Sequence, residues 1–515
     1  MLILSTDITL IRPPAYSIGI MGAQRVPYLG IAYIAAAARA AGFEVDVIDM
    51  CGEDIDHTEI THSKYVAYGM PVSALRKRLK PARVIGFTCM FSQEWIFNRE
   101  LITYVHKLSP ESIIVAGGEH ISAIPDFCLK DSPELDICVI GEGEEVFAQI
   151  VKRIEKDENW LDIPGIVYRE RSKGSIHHNP KARRVSEIDK IPFPAWDLFP
   201  IDNYLSRNLN YHIQRGRTIP MLASRGCPYK CTFCSNTNMW GNPWQTRNPK
   251  LIVDEMEKHI NQYGVNNFVF SDLTAVVQKS KIENFCNEIL NRRFNITWQL
   301  PTLRVESLDR EVLALMYKAG CRELDFAVES ASQKVLSMVQ KRNDPKQIVS
   351  IIKDSLFVGI NTSVNMIIGL PGERVWDFLK SYLLVIKMAY IGLQEVNVFP
   401  FVPYPGSKLF KEFVERGKIE TCDNYFLSLS AYANLSSACS WSETFGPKTL
   451  RFLRLLIMVS FYSIMLVTHP RRIIQLITNT LRGISTTKLE GVLKRVVKNL
   501  TASSFQKEKC AKKDI

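Results

Sequence analysis

The chain has 515 residues, 46% hydrophobic and 23% charged, which is the balance of a folded globular protein long enough for two or three domains. Its twelve cysteines follow no disulfide-framework pattern, and its first residues lack the basic start and small-residue cleavage site of a secretory signal, so the expectation is a cytoplasmic protein. Net charge is +11 and the whole excess sits in the tail, where Pro447 to Ile515 carries 14 Lys or Arg against 3 Asp or Glu.

Residues 1–150 alternate short apolar runs with helical patterns. Leu2-Ile3-Leu4, Val45-Asp46-Val47-Ile48, Val84–Phe87, Ile113–Ala116 and Ile137–Ile140 read as strands, and Tyr33–Ala41 as a helix. Strands separated by helices predict a doubly wound parallel α/β sheet, whose ligands bind at the carboxyl ends of the strands. Those ends carry Thr88-Cys89-Met90, Gly117-Gly118-Glu119-His120 and Gly141-Glu142-Gly143-Glu144. Gly117, Gly118, Gly141 and Glu142 are the candidate contacts there, because glycines let a ligand approach the backbone closely. Residues 151–215 read as a polar linker, broken by Lys173-Gly174, His177-His178-Asn179-Pro180 and Ile191-Pro192-Phe193-Pro194. The paired histidines are expected to be exposed residues rather than a metal site.

A second strand–helix series occupies residues 216–420. Its predicted strands are Pro220–Ala223, Asn267–Ser271, Ile296–Gln299, Glu323–Val328, Asn361–Ile368 and Glu395–Pro400. Asp272, Arg304, Glu329 with Ser330, and Gly369 follow successive strands, where barrels of this type place their chemistry. Residues 421–515 form a helical, basic C-terminal region. Leu455–Thr468 is 14 residues without charge, short of the roughly 20 that span a bilayer, and is expected as a buried helix on the barrel. Arg471–Ile477 and Lys494-Arg495-Val496-Val497-Lys498 alternate basic and apolar character. Two readings stand for them: contact with an anionic membrane surface, or a solvated helix with ordinary core contacts.

The most informative stretch is Arg225-Gly226-Cys227-Pro228-Tyr229-Lys230-Cys231-Thr232-Phe233-Cys234, on a loop after the apolar run Ile219–Ala223. Three thiolates at C-x3-C-x2-C spacing can hold three irons of a [4Fe–4S] cluster and leave the fourth open. Structural zinc needs four closed ligands, and no fourth Cys or His lies nearby in a paired C-x2-C. Here the chain resembles the radical S-adenosylmethionine (SAM) superfamily, in which this spacing is defining and an aromatic residue, here Phe233, precedes the last cysteine. The resemblance implies that Cys227, Cys231 and Cys234 bind the cluster. It also implies that SAM chelates the open iron and is cleaved to methionine and a 5′-deoxyadenosyl radical. It further implies a partial (β/α)6 barrel, with Asp272 near the SAM amino group and Glu329 meeting its ribose or amino group. Gly369-Leu370-Pro371-Gly372-Glu373 would then form the backbone platform for adenine. The chain departs from the pattern at Ala331, where relatives usually have Gly, and it lacks their Gly-Gly-Glu motif.

Arg12-Pro13-Pro14, Leu29-Gly30-Ile31-Ala32-Tyr33 and the two glycine-bearing turns look like the cobalamin-binding domain found before many radical SAM barrels. The D-x-H-x-x-G motif that supplies a histidine to cobalt elsewhere is absent, Asp56-His57 is too compressed to replace it, and His120 is expected to be simply hydrogen-bonded. The class implies methylation of an unactivated carbon, or alternatively a cyclisation or carbon–carbon bond formation like that of the oxidative ring cyclase of bacteriochlorophyll synthesis. A non-catalytic iron–sulfur or cobalamin sensor is the reading from another class. Implied partners are a small-molecule or lipid substrate and an electron donor such as ferredoxin or flavodoxin. Nucleic acid ranks low, because the tail has no interleaved aromatic recognition module. The tail leaves open a peripheral place on the inner face of the membrane.

Overall fold

The computed structural model describes residues 7–17, 25–61, 65–170, 173–209, 215–236, 238–432, 434–435, 439–482, 487 and 489–491, with backbone alone at 301 and 302. The expected strand Leu2-Ile3-Leu4 and the basic stretch Lys494–Lys498 lie outside these residues.

The first sheet has seven strands: β1 Ile8–Arg12, β2 Val45–Asp49, β3 Val84–Thr88, β4 Ile113–Gly117, β5 Ile137–Val139, β6 Ile166–Arg169 and β7 Ile176–His178. Their order is β7-β6-β5-β4-β3-β1-β2, parallel from β2 to β5 and antiparallel over β6 and β7. Alternation along β1 sends Ile8 and Leu10 to one core and Ile11 to the other. Helices Leu29–Ala40 and Glu144–Glu155 cover the first face, and Trp95–Leu108 covers the second. β1 is an interior strand, paired with β2 and β3, although its Thr9 and Arg12 interrupt the apolar run.

The expectation of a linker over 151–215 is corrected here. This segment completes helix Glu144–Glu155, supplies β6 and β7, and buries Trp196 and Tyr204 completely. Tyr204 donates to Asp49 Oδ2 at 2.8 Å, and the fully buried Arg12 guanidinium lies 3.7 Å from Asp49 Oδ1. Its Pro/Gly punctuation marks turns between short packed pieces rather than free chain. His177 and His178 do lie exposed, beside Glu170 and Asp126.

The second sheet is β8 Thr218–Met221, β9 Asn267–Phe270, β10 Thr297–Leu303, β11 Cys321–Glu329, β12 Asn361–Ile368 and β13 Glu395–Pro400, all parallel and in sequential order. Helices between them pack on the convex side through Phe268, Phe270, Trp298, Phe326, Val364 and Val396. Local chemistry starts and stops these helices. Asn248 and Asp344 accept from the N–H of the second residue, Lys250 and Lys346, of Pro249–Tyr263 and Pro345–Val358, each of which opens on proline and ends on a left-handed glycine. The fold is mixed α/β: a doubly wound sheet followed by an open six-unit barrel.

The apolar C-terminal stretch is longer than expected and is not a buried helix. Helix Pro447–Thr468 has 22 residues and a window of mean hydropathy 1.9, so by length and composition it could cross a membrane, but only 28% of that window is buried. Leu450, Ile457, Phe461 and Met465 pack on the barrel while the opposite face is open.

Candidate functional site

The cysteine loop leaves β8 at the carboxyl edge of the barrel and is held at its middle. Thr232 N–H donates to the Val339 carbonyl at 3.0 Å, and Leu409 N–H donates to the Thr232 carbonyl at 3.0 Å. Phe233 packs into the core shared with the first domain. Cys227, Cys231 and Cys234 are free thiols of intermediate exposure. Burial pushes the Cys234 thiol up to about 11 and raises that of Cys231, which Lys341 and Arg304 pull back down. No three His, Cys, Asp or Glu side chains among the described residues converge on a single metal ion. Thiolates that each hold a different iron of a cubane stand apart from one another, so the donor set suits a cluster better than one ion. Metal binding would take up the thiols as thiolates and release their protons.

The other expected residues surround this loop at successive strand ends. Asp272, just past β9, accepts from Ala223 N–H at 3.0 Å and from the Ser224 hydroxyl, so both oxygens secure the β8 exit. Burial lifts its carboxyl to about 6. Arg304, just past β10, lays its guanidinium 3.5 Å from the Tyr229 ring centre and pairs with Glu306. Glu329 closes β11 with φ 64°, a left-handed conformation that is costly for a non-glycine residue, at a register shift against β12. Its Oε1 accepts from Lys341 Nζ at 3.1 Å, and the pair is buried. Ser330 accepts from Ser332 N–H at 3.1 Å, and Ser381 accepts from Ala331 N–H at 3.0 Å, fixing the turn beyond Glu329. Gly369 follows β12, with its N–H donating to Glu373 at 2.6 Å. Strained backbone and a buried ion pair at the mouth of a barrel are features that accompany ligand sites.

A cleft lies between the carboxyl edge of the first sheet and barrel residues on either side of the cysteines, Arg225 before them and Met239 and Trp240 after them, although none of the three cysteines lines it; it holds ≈ 1410 Å³ of atom-free space counted out to solvent. Tyr28, Tyr33 and Phe91 line it from one domain, and Leu222, Met239 and Trp240 from the other. Gly118 sits at φ 115°, where an added Cβ would meet the Cys89 carbonyl at 2.6 Å; Gly141 is also left-handed, at φ 81°. A Cβ on Gly117 would instead point into open space, with nothing nearer than Val139 at 3.9 Å. This largely apolar cleft, with glycines among its lining, suits a corrin ring.

His120 is not on this cleft. It is fully buried between Trp95 and Phe426, bonded to the Ser92 hydroxyl at 2.9 Å, and burial pushes its imidazole down to about 3. Glu142 lines the wall, but both of its oxygens have protein partners. Oε1 accepts from Arg225 at 3.1 Å, and Oε2 accepts from Val185 N–H at 2.9 Å and from Arg184 at 3.4 Å. Arg225 also reaches Glu144, and its guanidinium lies 5.3 Å from the Tyr33 ring centre and 5.1 Å from that of Trp240. A buried arginine fork therefore fastens the residue two before Cys227 to the Gly141–Glu144 turn of the other domain. Arg225, Lys341 and Tyr229 take part in the site although sequence reasoning gave them no role. Arg225 and Tyr229 carried a signal, their place in the cysteine stretch; Lys341 carried none.

The fold and site set a three-cysteine loop at the carboxyl edge of an open parallel barrel, fastened through Arg225 to the glycine turns of a doubly wound α/β domain. Residues 20–151 match the B12 binding domain and residues 221–385 the Radical SAM superfamily. The chain belongs to the cobalamin-binding radical SAM enzymes, which use a [4Fe–4S] cluster, SAM and cobalamin. It is 26% identical over 410 residues to "Uncharacterized methyltransferase PH0819" of Pyrococcus horikoshii, covering 78% of this chain and 82% of that protein. It is 27% identical over 427 residues to the anaerobic magnesium-protoporphyrin IX monomethyl ester cyclase of Rubrivivax gelatinosus, covering 81% and 72%. Among solved structures, the radical SAM methyltransferase TsrM of Kitasatospora setae, with cobalamin and a [4Fe–4S] cluster bound, superposes at TM-score 0.63 with 18% identity over 80% of this chain and 78% of that one.

Proposed function

We propose that the protein is a C-methyltransferase acting on an unactivated carbon of a small or lipid-like substrate. When bound, the cluster with SAM supplies hydrogen-atom abstraction, and cobalamin supplies a transferable methyl group. The observation that carries this reading is a cleft walled by both domains, with the Gly118 and Gly141 turns on one side and Arg225, Met239 and Trp240, which bracket the cysteine loop in sequence, on the other.

The chain's own residues hold and orient. Arg225 keeps the cysteine loop in register with the glycine turns, and Thr232 pins its centre. Glu329, turned inward by its left-handed backbone and balanced by Lys341, presents a carboxylate suited to ribose hydroxyls or an ammonium group. Gly369 and Leu370 shape the next strand end, their N–H groups held by the Glu373 carboxyl beneath the turn. Asp272 positions the β8 exit, and Arg304 steadies Tyr229 within the loop. Tyr28, Phe91, Leu222 and Trp240 exclude water from the cleft. The relative named as a methyltransferase supports the proposal, and the cyclase relative keeps ring formation as the competing reaction.

The test is anoxic turnover of the reconstituted protein on a metabolite extract, with SAM, methylcobalamin and a reductant. Methyl transfer consumes a second SAM, so S-adenosylhomocysteine should accumulate with 5′-deoxyadenosine, and the product should be heavier by a methylene. Release of 5′-deoxyadenosine alone, with a product lighter by hydrogen, would establish the cyclase reading instead.

A further inference from the structure

Three neighbouring helices on the outside of the barrel share an unusual face. On Val375–Tyr390 the exposed positions Trp376, Lys380, Leu383, Lys387 and Tyr390 fall at steps of four and three, one stripe along the helix, and Trp376 is 76% exposed. Helix Pro447–Thr468 packs beside it and turns Phe452, Leu456, Val459 and Val467 outward, opposite its barrel-facing side. The next helix, Arg471–Leu481, exposes Ile473, Ile474, Ile477 and Leu481, the last at 82%. The three meet at one corner: His469 bonds to the Tyr390 carbonyl at 3.1 Å, and Arg472 donates to the Leu393 carbonyl at 2.9 Å. Large apolar side chains exposed on three adjoining helices mark a surface that something covers.

The charge on this face selects the occupant. From Pro447 to Arg482 the sequence has no Asp or Glu, and Lys448, Arg451, Arg471 and Arg482 are exposed, while Arg454 and Arg472 turn inward onto backbone carbonyls. On Val375–Tyr390 the one acid, Asp377, is buried against Ser332. A second copy docked here by two-fold symmetry would set lysine and arginine against themselves. Aromatic and aliphatic side chains interleaved with Lys and Arg instead match the headgroup layer of an anionic bilayer. We propose that this three-helix face docks the enzyme on an anionic phospholipid membrane. The helices lie on the surface and do not cross it. Arg454, on the barrel side of Pro447–Thr468, donates to the carbonyls of Tyr432 and Asn434 at 3.1 Å, contacts that insertion across a bilayer would break.

The test is co-sedimentation of the full-length, cluster-loaded protein with vesicles of phosphatidylcholine alone or with about a third phosphatidylglycerol. Binding to the anionic vesicles is expected to be at least about tenfold tighter and to weaken as salt is raised. Trp376→Ser/Leu383→Ser/Ile474→Ser should lose about tenfold in binding while iron content and SAM cleavage stay unchanged, since all three side chains are exposed and none lines the cleft. Lys380→Glu/Lys387→Glu should abolish the preference for anionic vesicles. Equal partition onto both vesicle types would overturn the proposal. So would wild-type binding by both variants, which would assign the interaction to the tail beyond this face. A dimer that Trp376→Ser dissolves would overturn it in favour of a second copy.

Discussion

Replacing Arg225 by Met tests how the two domains are held in register. The substitution keeps most of the side-chain volume but removes the fork from Glu142 and Glu144, with arginine and both carboxylates less than a tenth exposed. Glu142 retains Arg184 and the Val185 N–H. Glu144 has Arg225 alone among the described ion pairs, so the cost falls mainly on it. Removing one partner of a buried pair costs about 3–5 kcal/mol, chiefly through the carboxylate left behind. Urea unfolding followed by tryptophan fluorescence should show this as a lower midpoint, and Trp240 beside the guanidinium is one reporter. The cysteine loop should also retain less iron. Adding Glu144→Gln removes the stranded charge and should restore at least half of the lost stability without restoring turnover, because the loop is still unfastened. An Arg225→Met protein as stable as the parent, or a double variant no more stable than the single one, would refute the clamp.

Two further outcomes follow from the same geometry. Gly118→Ala places a methyl 2.6 Å from the Cys89 carbonyl at φ 115°, and should cost about 1–3 kcal/mol and weaken cobalamin binding, read as loss of the corrinoid spectrum after desalting. Glu373, fully buried beneath the Gly369 turn, has its carboxyl pushed by burial from 4.5 up to about 7. The native state therefore holds this proton over a range where the unfolded chain has released it, so this group's contribution to stability falls as pH rises from about 4.5 to 7 and is level above that. Glu373→Gln mimics the protonated form and should flatten this slope, gaining up to about 3 kcal/mol on the parent between pH 5 and 8. Parallel pH profiles for the two proteins would contradict the assignment.

Strand identity in the barrel was legible because the pattern is local. Asn361–Ile368 and Glu395–Pro400 have the expected bounds, since each is a β-rich run bracketed by glycine or turn residues. β1 at Ile8–Arg12 was missed, because the charge at Arg12 hid a buried strand end whose guanidinium is met by Asp49, 37 positions away. The segment 151–215 read as linker because burial of Trp196 and Tyr204 is set by tertiary packing, not by periodicity. The same limit applies at the site. The cysteine spacing and the strand-end residues can be read along the chain, but the pairing of Arg225 with a turn more than 80 residues earlier, and of Lys341 with Glu329 across a helix, exist only in three dimensions. The outer face of Pro447–Thr468 escaped notice because apolar composition alone cannot say which side of a helix is covered.

The most direct measurement is iron and acid-labile sulfide per chain after anoxic reconstitution, for the parent and for Cys231→Ala, together with 5′-deoxyadenosine released from SAM under reduction. The account predicts about four irons in the parent with SAM cleavage, and loss of that cleavage in the variant. A parent that holds no iron or sulfide after refilling, or a Cys231→Ala protein that cleaves SAM at the parent's rate, would contradict it.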